Sequence, residues 1–173
     1  MDIKEQKGEM MYTVGIITAS DKGSKGERED KSGAVIQEIL KEQGYEIKDY
    51  QIIPDEQALL EETMKEMADH KKVNLILTTG GTGFSMRDRT PEATIAVCDR
   101  MAPGIPEAMR AYSMQITNRA MLSRAVAGIR NQTLIINMPG SPKAVKESLE
   151  CILEPLSHGL GILLGTASEC ARK

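Results

Sequence analysis

Apolar and polar positions along this chain switch repeatedly between two periods. Met11 to Ala19 is short, β-branched and nearly continuous in apolarity, which predicts a strand covered on both faces. Ser20-Asp21-Lys22-Gly23-Ser24-Lys25-Gly26 follows as a polar loop with two glycines. From Ser32, a candidate N-cap, Val35, Ile36, Ile39 and Leu40 recur at helical spacing, with Gly44 as the stop signal. Tyr45 to Ile53 predicts a second strand, ending at Pro54-Asp55. Asp55 stands at the N-cap position of a helix whose apolar stripe is Leu59, Leu60, Thr63, Met64 and Met67. Val73 to Thr78 predicts a third strand, and Thr90-Pro91 opens a helix, since proline costs nothing at the first helical position. After Pro103-Gly104-Ile105-Pro106, Glu107 to Ile116 predicts another helix. Ala125 to Ile129 and Thr133 to Asn137 predict two strands joined by a tight turn at Arg130-Asn131-Gln132. Pro139-Gly140-Ser141-Pro142 ends the last strand and opens a long terminal helix, with Ser141 as its cap and Pro142 as its first residue.

Strands alternating this regularly with helices predict an α/β sandwich around a mostly parallel sheet, with the tight turn adding one antiparallel strand. No internal repeat, linker or low-complexity segment divides the sequence. At 173 residues the chain is long enough to bury one substantial core, so 1–173 is expected to be a single domain.

Composition narrows the partners. A net charge of −3, no Trp and one Phe provide neither a basic footprint nor a stacking surface, so nucleic acid is not the expected partner. The apolar runs are too short to cross a bilayer, and the charged start Met1 to Lys7 has no apolar stretch behind it, so no membrane partner and a cytoplasmic location are expected. Cys98, Cys151 and Cys170 are odd in number and widely spaced, which suits reduced thiols better than disulfides or zinc.

The chemistry is expected where an open α/β sheet places it, beyond the carboxyl ends of the parallel strands. That rule selects Ser20-Asp21, Pro54-Asp55, Gly80 to Asp88 and Pro139-Gly140-Ser141. Gly80, Gly81 and Gly83 let backbone N–H groups approach an anion closely, and the helix starts at Thr90 and Ser141 offer further unpaired N–H groups. A helix terminus contributes only about 0.3–1 kcal/mol to an exposed charge, so a polyphosphate needs cations besides. Arg87, Arg89 and Lys143 are the nearby basic residues. Asp55 and Asp88 would repel phosphate unless a divalent cation lay between, which implies Mg²⁺. On spacing alone Asp55 and Ser141 read first as helix caps, and Asp88 equally as a functional residue or a turn former. The loop lacks the Gly-Lys-Ser/Thr of a Walker-type site, which disfavours a kinase, and Gly-Gly-Thr-Gly is not a dinucleotide fingerprint. No Gly-x-Ser-x-Gly occurs, and His70 and His158 fall in expected helices away from the strand ends.

Thr78-Thr79-Gly80-Gly81-Thr82-Gly83, Arg87-Asp88 with Thr90-Pro91-Glu92-Ala93, Ile53-Pro54-Asp55-Glu56 and Pro139-Gly140-Ser141-Pro142-Lys143-Ala144 together resemble the molybdopterin adenylyltransferase family. Its relatives include the MogA and MoaB proteins and the G domains of gephyrin and its plant counterpart. Ser20-Asp21, Pro103-Gly104 through Met109-Arg110 and Leu122-Ser123-Arg124 extend the resemblance over nearly the whole chain. It implies a three-layer α/β/α sandwich, usually a homotrimer, that transfers AMP from ATP to the terminal phosphate of molybdopterin and releases pyrophosphate. It implies Mg²⁺ held by Asp55 and Asp88 as the catalytic acids, and a substrate pocket drawn from Ser20, Asp21, Gly80, Gly81, Thr82, Gly83, Ser123, Gly140 and Ser141. It further implies a downstream metal-insertion protein as recipient of the product. Phe84-Ser85-Met86 lies where the family varies and receives no role. Some members of this family are non-catalytic molybdopterin-binding or scaffolding proteins, and that is the alternative expectation.

Overall fold

Six strands and six α-helices lie along residues 11–167, the part of the chain that the computed structural model describes. Cys170 and the charged start Met1 to Lys7 lie outside the described residues. The elements run β1 (Thr13–Ala19), α1 (Asp21–Ser24), α2 (Lys31–Glu42), β2 (Glu46–Ile53), α3 (Gln57–Lys65) and β3 (Leu75–Thr79). They continue through α4 (Thr90–Val97), β4 (Arg100–Met101), α5 (Gly104–Met114), β5 (Ala127–Arg130), β6 (Thr133–Met138) and α6 (Pro142–Leu163). One π-helical turn, Glu66–His70, prolongs α3, and a 3₁₀ turn, Asn118–Leu122, follows α5.

The strands form one sheet in the order β2-β1-β3-β6-β5-β4. β1, β2, β3 and β6 are parallel, while β5 runs antiparallel to both of its neighbours. Adjacent residues on the central strands face opposite layers, as a pleat requires. Ile16, Leu77 and Ile136 pack with Ile36 and Leu40 of α2, Met109 of α5, and Val145 and Leu149 of α6. Their neighbours Ile17, Ile76 and Ile135 pack with Leu60 and Met64 of α3 and with Ala93 and Val97 of α4. The result is the expected three-layer α/β/α sandwich, and it explains why the strands read as continuous apolar runs.

Several local expectations are corrected. α2 is capped by Asp30, whose Oδ1 accepts from Gly33 N at 2.9 Å, and Ser32 lies inside the first turn with its hydroxyl donating to Gly140 O at 2.7 Å. Glu56, not Asp55, occupies the N-cap position of α3, with no side-chain cap bond, and the Asp55 carboxylate is engaged elsewhere. α5 begins at Gly104, ahead of Pro106, because the first four amides of a helix have no intrahelical acceptor to lose. β4 and α1 are too short to leave a periodic signature. Ser141 caps α6 as expected, accepting from Ala144 N at 3.2 Å.

Candidate active site

β1 is followed by a connection to the sheet edge at β2, and the chain then returns to β3 on the other side of β1. The crevice beyond the carboxyl ends of β1 and β3 is therefore the topological switch point of this sheet, where ligands of open α/β sheets bind. A cleft of about 740 Å³ opens there, walled by Ser20, Asp55, Gly80, Gly81, Asp88 and Gly140. Each belongs to one of the four segments the strand-end rule selects.

Gly80 and Gly81 both adopt positive φ, +87° and +69°. A Cβ on Gly80 would be driven into the carbonyl oxygen of Ala19, and one on Gly81 into Thr90 Oγ1, so the turn admits only glycine. Around it the main chain is pinned. Thr90 Oγ1 donates to Gly80 O at 3.0 Å, Thr90 N donates to Gly81 O at 3.2 Å, and Thr79 Oγ1 donates to Pro139 O at 2.7 Å. The loops after β3 and β6 are thus held against one another by buried threonines.

Asp55 and Asp21 bind each other's main chain reciprocally. Asp21 N donates to Asp55 Oδ2 and Asp55 N to Asp21 Oδ1, both at 3.0 Å. Arg87 then grips Asp21 with two bonds, Nε to Oδ2 at 3.0 Å and a terminal nitrogen to Oδ1 at 2.7 Å, tying the loop after β3 to the loop after β1. These contacts separate two neighbouring acids. The Arg87 bond holds the Asp21 carboxyl below the usual carboxylate range. Burial, with the charges of Asp21 and Asp88 adding to it, pushes the Asp55 carboxyl up despite the bond it accepts from Asp21 N. Asp88 accepts from Ser85 N at 3.0 Å, and its Oδ2 lies 2.9 Å from where a Cβ on Gly83 would stand.

Not every expected residue shares this cleft. Thr82, Gly83 and Ser123 line a second cavity of about 310 Å³ on the far side of the glycine loop, together with Arg110 and Ser148. Ser141 caps its helix and walls neither cavity, and exposed Lys143 reaches only toward Glu147. Conversely, Arg28, Asp30, Lys31 and Ser32 line the first cleft although strand-end reasoning passed them over. Asp30 accepts from Thr18 Oγ1 at 2.6 Å and from the Tyr50 hydroxyl, whose own pKa burial and this carboxylate drive upward. The signal was available, because Asp30-Lys31-Ser32-Gly33 opens α2 in the connection from β1 to β2, the first crossover of the sheet and a place where ligands often bind.

Among the described residues no group of three or more His, Cys, Asp or Glu is placed to hold a metal. Mg²⁺ needs none, since it is commonly held by one or two carboxylates plus substrate phosphates. Asp55 and Asp88 in one cleft, with the Asp88 charge acting on the Asp55 carboxyl, fit that donor set.

Glycine amides, cationic side chains and two carboxylates at the switch point of a doubly wound sheet define a phosphate-handling α/β protein. Comparison with known proteins makes this specific. Residues 15–158 match a family model described as "Probable molybdopterin binding domain". The chain is 43% identical over 162 residues to the molybdopterin adenylyltransferase of Helicobacter pylori strain J99, covering 92% of each. It is 45% identical over 140 residues to the Escherichia coli K12 protein of the same name, covering 79% of this chain and 71% of that one. The crystal structure of the molybdopterin biosynthesis enzyme MoaB from Thermus thermophilus superposes with a TM-score of 0.85 at 47% identity, covering 90% of this chain and 98% of that one. The chain belongs to the molybdopterin adenylyltransferase family of molybdenum cofactor biosynthesis.

Proposed function

We propose that this chain is an active molybdopterin adenylyltransferase. The observation that carries the proposal is the placement of Asp55 and Asp88 beside the Gly80-Gly81 turn in a single cleft. In the reaction, an oxygen of the terminal phosphate of molybdopterin attacks the α-phosphorus of ATP. The bond from that phosphorus to the bridging oxygen of the β-phosphate breaks, and pyrophosphate leaves with the bonding pair.

Both reactants are anions, so the protein's task is alignment and charge neutralisation more than covalent chemistry. The left-handed turn at Gly80-Gly81 exposes main-chain N–H groups to a phosphate. Asp55 and Asp88 would hold Mg²⁺, whose chemistry is to neutralise the triphosphate and favour the departing pyrophosphate. Arg87, anchored on Asp21 at the rim, stands ready to exchange a carboxylate for a phosphate partner. The second cavity, with Thr82, Gly83 and Ser123, extends the substrate site past the glycine loop.

This reading takes the chain as one molybdopterin-binding domain that works in the cytoplasm as a homotrimer and passes its product to a metal-insertion protein. Its decisive experiment supplies molybdopterin, ATP and Mg²⁺ to wild type, Asp55→Asn and Asp88→Asn, and follows pyrophosphate and adenylated pterin. Wild type should form both products, and each variant should lose about 10²–10³-fold in rate. Binding of molybdopterin by wild type without pyrophosphate would identify the non-catalytic alternative, and ADP in place of pyrophosphate would identify a kinase.

A further inference from the structure

The loop from Gly83 to Asp88 carries a carboxylate proposed to hold Mg²⁺, yet it has little core to rest on. Phe84 is 70% exposed and Met86 93% exposed. Within the loop only Asp88 N to Ser85 O at 3.0 Å, Ser85 N to Asp88 Oδ2 at 3.0 Å and Arg87 N to Ser85 Oγ at 3.4 Å give internal support. A segment with so few buried contacts belongs to the low-stability end of a fold unless something else restrains it.

Arg87 ties the loop to Asp21, and Arg124 restrains its two ends. The Arg124 Nε donates to Gly83 O at 2.7 Å and one terminal nitrogen donates to Asp88 O at 2.8 Å, so one guanidinium holds the first and last residues of the loop together. Its other terminal nitrogen pairs with Glu92 in the first turn of α4, and its own amide donates to Thr82 O at 2.9 Å. The Glu92 carboxyl is pushed up by burial, but the Arg124 bond helps to bring it below the usual range overall. The residues flanking Arg124 face the other way. Ser123 and Ala125 line the second cavity, and Arg110 binds both of their carbonyls, at 3.4 and 2.8 Å.

We infer that Arg124 is the positioning residue that fixes the Gly83–Asp88 loop, and with it the Asp88 carboxylate, against the Gly80-Gly81 turn. The role of the carboxylate rests on the adenylyl-transfer reading above, whereas the clamp on the loop does not. Only a planar fork meets the three acceptors at once. A lysine at this position keeps the charge and the Glu92 partner but reaches at most one of the two carbonyls.

Two measurements on folded Arg124→Lys, with its melting temperature recorded, test the inference. The first is the backbone order parameter of residues 84–88 by NMR relaxation, expected to fall from about 0.85 toward 0.6 while β3 stays rigid. The second is the Mg²⁺ concentration that half-saturates binding of a non-hydrolysable ATP analogue, expected to rise about tenfold, as for groups that orient metal ligands. In an Asp88→Asn background Arg124→Lys should shift that concentration no further, because the residue acts through Asp88. An unchanged order parameter in the loop, or an equal Mg²⁺ shift in both backgrounds, would overturn the proposal. Should wild type bind no analogue at all, the adenylyl-transfer reading fails, and the order parameters still decide the clamp. Arg124→Gln carries the same two readouts where the lysine variant does not fold.

Discussion

Asp55 is where local electrostatics and proposed chemistry pull apart. Burial and two like charges raise its pKa, so folding favours the protonated form. Its contribution to stability is therefore fully present below its unfolded pKa of about 3.9 and is lost as pH rises through the higher folded value. At neutral pH the ionised carboxylate costs stability, and Asp55→Asn should melt higher than wild type by a margin that shrinks as pH falls toward 3. The proposed activity needs the opposite state. Holding Mg²⁺ requires the carboxylate, so the acidic limb of kcat/KM should fall above the ordinary carboxylate range, and Asp55→Asn should abolish it. Scanning calorimetry across pH and a pH–rate profile check the two halves separately. Sequence alone identified Asp55 as either a cap or a ligand. The structure shows the helix starting at Glu56 and the carboxylate engaged with Asp21 N.

The elements meet through a few buried polar side chains. Asn137 on β6 is fully buried, and its Nδ2 donates to Thr78 Oγ1 on β3 at 3.1 Å and to Thr94 Oγ1 on α4 at 2.8 Å. Its Oδ1 accepts from Val126 N at 3.1 Å. One side chain thus sets the spacing of β6, β3, α4 and the entry to β5. Asn137→Leu strands Val126 N and removes the donor to Thr78 Oγ1 and Thr94 Oγ1, the latter keeping its own bond to Thr90 O, and should destabilise by about 2–4 kcal/mol in urea unfolding with little change in m-value. Periodicity located β6 and α4 as elements but was blind to this residue, which reads from sequence as the polar end of an apolar strand. The same limit explains the misplaced cap of α2. Ser32 and Asp30 are both good N-cap residues, and only the path of the chain out of the cleft decides that Asp30 binds Gly33 N while Ser32 turns to Gly140.

For the whole molecule, the proposed trimer and the order of the sheet are properties that no single segment states. The exposed apolar residues Met114, Ile116, Met121 and Leu122 follow one another at the end of α5 and through the 3₁₀ turn. Light scattering on the full chain should give a mass near three times 19.0 kDa, and a monomer mass would refute the homotrimer. Residue pattern by itself determined the alternation of strands and helices, the parallel class of the sheet and the four strand-end segments from which the candidate site is drawn. Those features are local, written in the periods 2 and 3.6 and in glycine and proline placement. Only tertiary structure decided which of those segments face the same space. Ser20, Asp55, Gly80, Asp88 and Gly140 share one cleft, Thr82, Gly83 and Ser123 share another, and Arg124 braces the loop between them. The physical reason is that side-chain direction and hydrogen-bond partner are fixed by contacts between residues distant in sequence, as between Arg124 and Asp88, and pairings of that kind leave no periodic trace.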